Sequence, residues 1–142
     1  MISLYNRILL AIDGSENSRR AAEHAAWLAT VSPHASIVAL YVLHYDRTRK
    51  DVIQDAAVED LHNDRKKRIE PILAVLDNQQ AAYDFVIRHG DPGPTIVAYA
   101  NEEPFDLVVI GSRGLNSFQE MLLGSVSHKV AKRVAAPVLI IK

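Results

Sequence analysis

Short apolar runs punctuate the chain, and longer stretches with a helical period separate them. The runs are Arg7–Ile12 (RILLAI), Ser36–Leu43 (SIVALYVL), residues 83–88 (YDFVIR), residues 106–111 (DLVVIG) and residues 137–142 (PVLIIK). They do not alternate between apolar and polar positions, which predicts strands buried on both faces, as in a parallel sheet covered by helices. Between the first two runs, Ala21, Ala22, Ala25, Ala26 and Ala29 form a smooth stripe that lets a helix sit close to the sheet. Residues 51–77 carry Val52, Ala56, Leu61, Ile69, Leu73 and Leu76 at helical spacing, with Pro71 among them. A proline there lacks the N–H donor and crowds the preceding turn, so it is expected to kink or split the helix. A short helix fits residues 94–101. The last helical pattern covers residues 117–135, with Phe118, Met121, Leu122, Val126, Val130 and Val134 on one face.

The order is therefore βαβαβαβαβ. Parallel strands need crossovers, and crossovers are right-handed. The expected fold is a doubly wound α/β structure: a five-stranded parallel sheet with helices on both faces. Ligands on such sheets bind beyond the carboxyl ends of the strands, where the strand order reverses. The loops after Asp13, Leu43 and Gly111 are thus the places to look for chemistry.

Composition narrows the chemistry further. At 142 residues the chain fits one domain over residues 1–142, large enough to bury a core without disulfides or structural metals. The absence of cysteine removes thiol chemistry. Sixteen basic residues balance 17 acidic ones, so there is no basic footprint for a nucleic acid. The mixed charges of DRTRKD and NDRKKRIE read as a solvated face. No run approaches the ~18 apolar residues of a membrane span, and ILLAI is too short for a signal-peptide core. A cytoplasmic location is the expectation. The six histidines form no i,i+4 pair and no cluster suited to zinc. Trp27 is expected in the core, and Tyr45, just after the second strand, beside any ligand pocket.

Half of the six glycines fall within 14 residues, at Gly111, Gly114 and Gly124. A glycine inside a helix costs about 1 kcal/mol relative to alanine, and Gly124 lies in a helical pattern. A phosphate site would justify the cost, because glycines admit an anion to backbone N–H groups and a helix N-terminus adds its positive dipole end. On this reading GSRG and GSVS are two halves of a cradle. GSVS opens the true last helix, residues 118–123 fold over between the halves, and Arg113 adds a charge-assisted contact. The P-loop and the dinucleotide fingerprint are both absent. GSRG also matches the backbone-clamping loop of a KH module, but here it follows a buried strand in a chain without basic excess.

The spacing Gly111-x2-Gly114-x9-Gly124-Ser125 resembles the ATP-binding signature of the universal stress protein family. The likeness extends along the chain: ILLAIDGSENSRRAAEHA resembles that family's opening strand and helix, VALYVL its second strand, HGDPGPTIVAYANEEPFDLVVIGSRG its third helix and fourth strand, and APVLIIK its closing strand. The resemblance implies ATP as ligand; any metal is then expected to be Mg²⁺ or Mn²⁺ brought with the phosphates. It implies that Asp13 contacts the ribose, although an Asx turn in DGS is the plainer reading of that residue. It places adenine recognition on the backbone of Val42, and the phosphates on Gly111, Ser112, Arg113 and Gly114 with Gly124, Ser125, Val126 and Ser127. It also implies a homodimer paired through the final strand, whose apolar edge would otherwise be exposed.

Ser125 and His128 stand one helical turn apart, yet the nucleophile elbow is missing and no third group evidently orients His128. A polar helix face is the simpler reading. Two function classes follow: an ATP-binding stress or signalling switch, and a slow ATPase or other adenine-nucleotide enzyme on the same scaffold. No general base for phosphoryl transfer stands out, which favours the switch.

Overall fold

The computed structural model describes residues 4–44, 55–113 and 123–142, with the backbone alone over 55–65. Along the chain run β1 (Arg7–Ile12), α1 (Glu16–Thr30), β2 (Ser36–Leu43), α2 (Asp55–Asn78), β3 (Tyr83–His89), α3 (Pro92–Glu102), β4 (Leu107–Gly111), α4 (Ser125–Arg133) and β5 (Val138–Ile141). The strands form one parallel sheet in the order β3-β2-β1-β4-β5. β1 is central, and the order reverses beside it, between β1 and β4. The expected doubly wound architecture is present, with α1 and α2 on one face and α3 and α4 on the other.

Alternate residues of β1 feed the two layers. Ile8, Leu10 and Ile12 meet the alanine stripe of α1 together with Ile69, Ile72 and Leu76 of α2. Leu9 and Ala11 meet Ile96 and Ala100 of α3 and Val130 of α4. Ser15 caps α1 by accepting the N–H of Ser18 at 3.1 Å, and the small side chains behind it bring the helix down onto β4. A Cβ on Gly111 would lie 2.8 Å from Asn17 Cβ and 3.0 Å from the Asn17 carbonyl carbon. Glycine at 111 is thus the counterpart of the alanine stripe: it is what lets α1 settle over the end of β4.

Three expectations change. α2 is one continuous helix through Pro71. The proline sits on the exposed side, and so does Lys67, whose carbonyl loses its partner; water can replace that hydrogen bond, so the helix is not split. Trp27 is 61% exposed and outside the core. The alanines take the buried face of α1, and the indole lies outside it, in a shallow groove with Glu23 and with Val75 of α2. Finally, β3 is an edge strand with one free side, and Phe85 and Ile87 remain partly exposed instead of buried on both faces. β5, the other edge, is also only partly covered except at Ile141.

Among the described residues, no helix is long and apolar enough to cross a membrane.

Because the Gly111 contact involves backbone as well as side chain, Gly111→Ala should destabilise the fold by about 1–3 kcal/mol, the usual cost of overpacking. Chemical denaturation without ligand measures it. A variant as stable as the parent would show that α1 can lift off β4 freely.

Candidate functional site

Beyond the carboxyl ends of the strands lies a cavity of about 360 Å³, next to the reversal in strand order. Its apolar wall is built by Ala11, Val42, Ile96 and Ile110, all members of the α3/α4 layer. Its polar wall comes from the loop after β1, the end of β4 and the start of α4.

The β1 loop turns sharply. Asp13 Oδ1 accepts the N–H of Ser15 at 2.9 Å, while the N–H of Asp13 donates to Ser18 Oγ at 3.1 Å. Gly14 carries φ +85°, the left-handed conformation that glycine adopts without penalty. The Asx turn is therefore present, and it engages only one carboxylate oxygen. Oδ2 has no partner among the described residues, and the residue lines the cavity.

This turn has a consequence for β2. In the parallel ladder, Ser36 N–H donates to the Asn6 carbonyl, so even-numbered residues of β2 face β1. The same spacing would have the Val42 carbonyl accept from Gly14 N–H. The pairing stops at Ile12–Tyr41 because the chain has left the sheet, and no such bond forms. The Val42 side chain is buried, its carbonyl has no hydrogen-bond donor from β1 among the described residues, and the residue lines the cavity.

The β4–α4 side is held by its own hydrogen bonds. Ser112 donates its N–H to the Ile141 carbonyl at 2.6 Å and accepts the Gly124 N–H at 2.7 Å. Its hydroxyl, fully buried, accepts from Asn17 Nδ2 at 3.2 Å. Ser127 Oγ donates to the Gly111 carbonyl at 2.6 Å. These contacts aim the N-terminus of α4 at the cavity. Gly124 is its N-cap and supplies no side-chain acceptor, so the helix's opening N–H groups lack an intrahelical partner. They face a space already carrying the positive end of the helix dipole.

Asp13, Val42, Gly111, Arg113, Gly124, Ser125, Val126 and Ser127 all line this one cavity, and Ser112 sits immediately behind it. Gly114, Tyr45 and residues 118–122 lie outside the described residues. Two of the glycines serve purposes other than admitting an anion. Gly111 is required by α1. Gly124 has φ −69° and ψ 164°, a conformation open to any residue, and it caps the helix instead of interrupting it; at an N-cap glycine carries little cost. The patterned helix of residues 117–135 accordingly begins at Ser125. Sequence reasoning missed His44, Arg68, Pro92 and Ile96 as lining residues. Pro92 was hidden by a helix that starts two residues earlier than expected, whereas Ile96 lay inside the expected helix with no signal of which side it faces.

His128 is exposed and is not among the lining residues. Asp13 is the sole carboxylate among the described lining residues, against His44, Arg68 and Arg113. No group of three metal-ligating side chains occurs among the described residues.

Comparison with known proteins agrees with this architecture. Residues 4–142 match the model of the universal stress protein family. The universal stress protein YxiE of Bacillus subtilis is 32% identical over an alignment covering 98% of this chain and all of that one. The solved structure of protein MJ0577 of Methanocaldococcus jannaschii superposes with a TM-score of 0.82 at 30% identity, covering 98% of this chain and 96% of that one. A universal stress protein solved in complex with cAMP superposes at a TM-score of 0.76 with 25% identity, over 99% of both chains. With the strand order, the crevice beside β1 and the sequence match extending together across nearly the whole length, the chain belongs to the universal stress protein family.

Proposed function

We propose that the protein is an ATP-binding switch of stress signalling, its cavity holding an adenine nucleotide. One observation carries this reading: a Val42 carbonyl with no described donor from β1, a free carboxylate oxygen at Asp13 and the uncapped N-terminus of α4 converge on one partly apolar cavity. These features suit the three parts of the ligand in turn. The adenine ring fills the recess of Ala11, Val42, Ile96 and Ile110, and its exocyclic amine donates to the Val42 carbonyl. The Asp13 carboxylate accepts from a ribose hydroxyl. The phosphates meet the N–H groups of Ser125, Val126 and Ser127, with Arg113 and the 111–114 loop beside them. A related universal stress protein was solved with cAMP, another adenine nucleotide. Mg²⁺ or Mn²⁺ would be held mainly by phosphate oxygens and water, since the described cavity offers one carboxylate.

The switch reading, in preference to an ATPase, rests on what the cavity contains. Charge stabilisation is provided for, but no described side chain is placed to orient an attacking water. The proposal includes a single functional domain over residues 1–142, acting in the cytoplasm as a homodimer. Its interface is β5, which ends the sheet with one free side and partly uncovered Val138, Leu139 and Ile140. Pairing with its own copy would satisfy that edge.

Calorimetry with ATP and Mg²⁺ should show saturable binding, and ATP at 100 times its Kd should stabilise the fold by about 2.7 kcal/mol. GTP should bind more weakly. Gly124→Val keeps an allowed backbone conformation but fills the space before the helix N-terminus, and should weaken ATP at least ~10-fold in a folded protein, or about 1.4 kcal/mol. Asp13→Ala should weaken it less. No heat and no thermal shift with the parent would overturn the nucleotide reading.

Light scattering at micromolar concentration should give the dimer mass, and a charged substitution such as Ile140→Lys should give the monomer. A monomeric parent would remove the β5 interface.

Phosphate release followed over hours should lie far below the ~1–10³ per second of ordinary enzymes, and should not change in His128→Ala. Turnover near one per second would make the protein an enzyme.

A further inference from the structure

Arg68 is a charged cavity residue that the nucleotide reading leaves without a task. It belongs to α2, on the opposite face of the sheet from α4. The helix is pinned there by Ile69, Ile72 and Leu76, each at most 2% exposed, so Arg68 is held by the residue next to it in sequence and by another one turn on. Its own backbone and Cβ press on the β1 loop. A Cβ on Gly14 would lie 3.2 Å from Arg68 Cβ and 3.8 Å from the Arg68 carbonyl oxygen. The absence of a side chain at 14, together with its φ of +85°, is what admits the arginine to the rim of the cavity.

Arg68 lines the cavity from an exposed position on α2, and its side chain makes no ion pair or hydrogen bond with any described residue. Two other described arginines are engaged by carboxylates: Arg7 pairs with Glu103, and Arg19 with Glu16 and Glu23. Besides Arg113, positive potential therefore reaches the cavity from opposite layers: from the α4 N-terminus, and from Arg68, against which the Asp13–Gly14 turn lies.

We propose that Arg68 is a second anion contact and sets the ligand class. The cavity is suited to an adenine nucleotide carrying a phosphate on its ribose in addition to the one on the 5′ side. This rests on the nucleotide reading above. With the 5′ phosphate on α4 and the sugar at Asp13, the ribose hydroxyl edge is the part of the ligand turned toward the Gly14–Arg68 contact. A guanidinium suits a phosphate there because its planar fork can donate two parallel hydrogen bonds. A ligand with its phosphates in one linear chain concentrates charge at α4 and leaves the Arg68 side empty.

The test compares adenosine 3′,5′-bisphosphate and 2′,5′-bisphosphate with ADP, which carries as many phosphates in a single chain. Calorimetry is run on the parent, Arg68→Ala and Arg68→Lys, with melting temperatures verifying that all three fold. In the parent at least one bisphosphate should bind ~10-fold or more tightly than ADP. That ratio should fall below threefold in Arg68→Ala and recover partly in Arg68→Lys, which restores charge without the fork. A parent that binds ADP as tightly as both bisphosphates overturns the proposal while leaving nucleotide binding intact. A ratio unchanged in Arg68→Ala does the same, because loss shared equally by all ligands places Arg68 on the 5′ chain. If neither ATP, ADP nor either bisphosphate binds the parent, the nucleotide reading fails and takes this one with it.

Discussion

The β1–β2 ladder stops at Ile12–Tyr41, where β1 ends, while β2 runs on to Leu43. That early exit of β1 governs the carboxyl pole of the molecule. It leaves the buried Val42 without a donor from β1 among the described residues, and it turns Asp13 out of the sheet into a loop. It also sets the crevice between α1, on one face of the sheet, and α4, on the other. Buried backbone groups are normally paired, so a ladder that ends here puts polar backbone at the cavity beside the start of α4.

The two sides of the crevice are kept in place by different means. On the β1 side, close packing dominates: alanines on α1, glycine at 111, and Gly14 under Arg68 leave no room for adjustment. On the β4 side, hydrogen bonds dominate. Ser112 alone joins β5 through its N–H, the α4 cap through its carbonyl and α1 through its hydroxyl. A helix dipole contributes typically 0.3–1 kcal/mol toward a charge at its end, and up to about 2 kcal/mol where the geometry is partly buried. Such a gain depends on fixed geometry, which the Ser112 junction and the Ser127–Gly111 bond supply.

Much of this was legible in the residues. β1 and β2 end where their apolar runs end, because both faces of a central strand are buried and the run has no reason to stop sooner. β3 was recognisable as a strand but not as an edge: YDFVIR reads alike whether one or two neighbours flank it. Pro71 left a kink and a split equally open, and only the split is excluded by the continuous helix; a proline's cost depends on which side of the helix it faces, and that follows from tertiary packing. Trp27 misled for a similar reason, since the alanine stripe, and not hydrophobicity, chose the buried face of α1. At the site, the clustered glycines marked the correct region for partly mistaken reasons: Gly111 answers to Asn17, and Gly124 is a cap. Arg68 carried no local signal, for it is distant in sequence from every other member of the cavity.

The placement of Trp27 bears on how the molecule can be watched. As the chain's single tryptophan it dominates intrinsic emission, and it sits at the seam between α1 and the last turns of α2, 61% exposed in the folded state. Its emission therefore begins close to that of an indole in water, and global unfolding has little spectral shift left to produce. What the indole can register is loss of the groove it shares with Val75, that is, the parting of α2 from α1. A denaturation curve read by fluorescence would follow that seam, whereas one read by backbone absorption follows the sheet, and any gap between the two curves measures how independently the outer helix comes away.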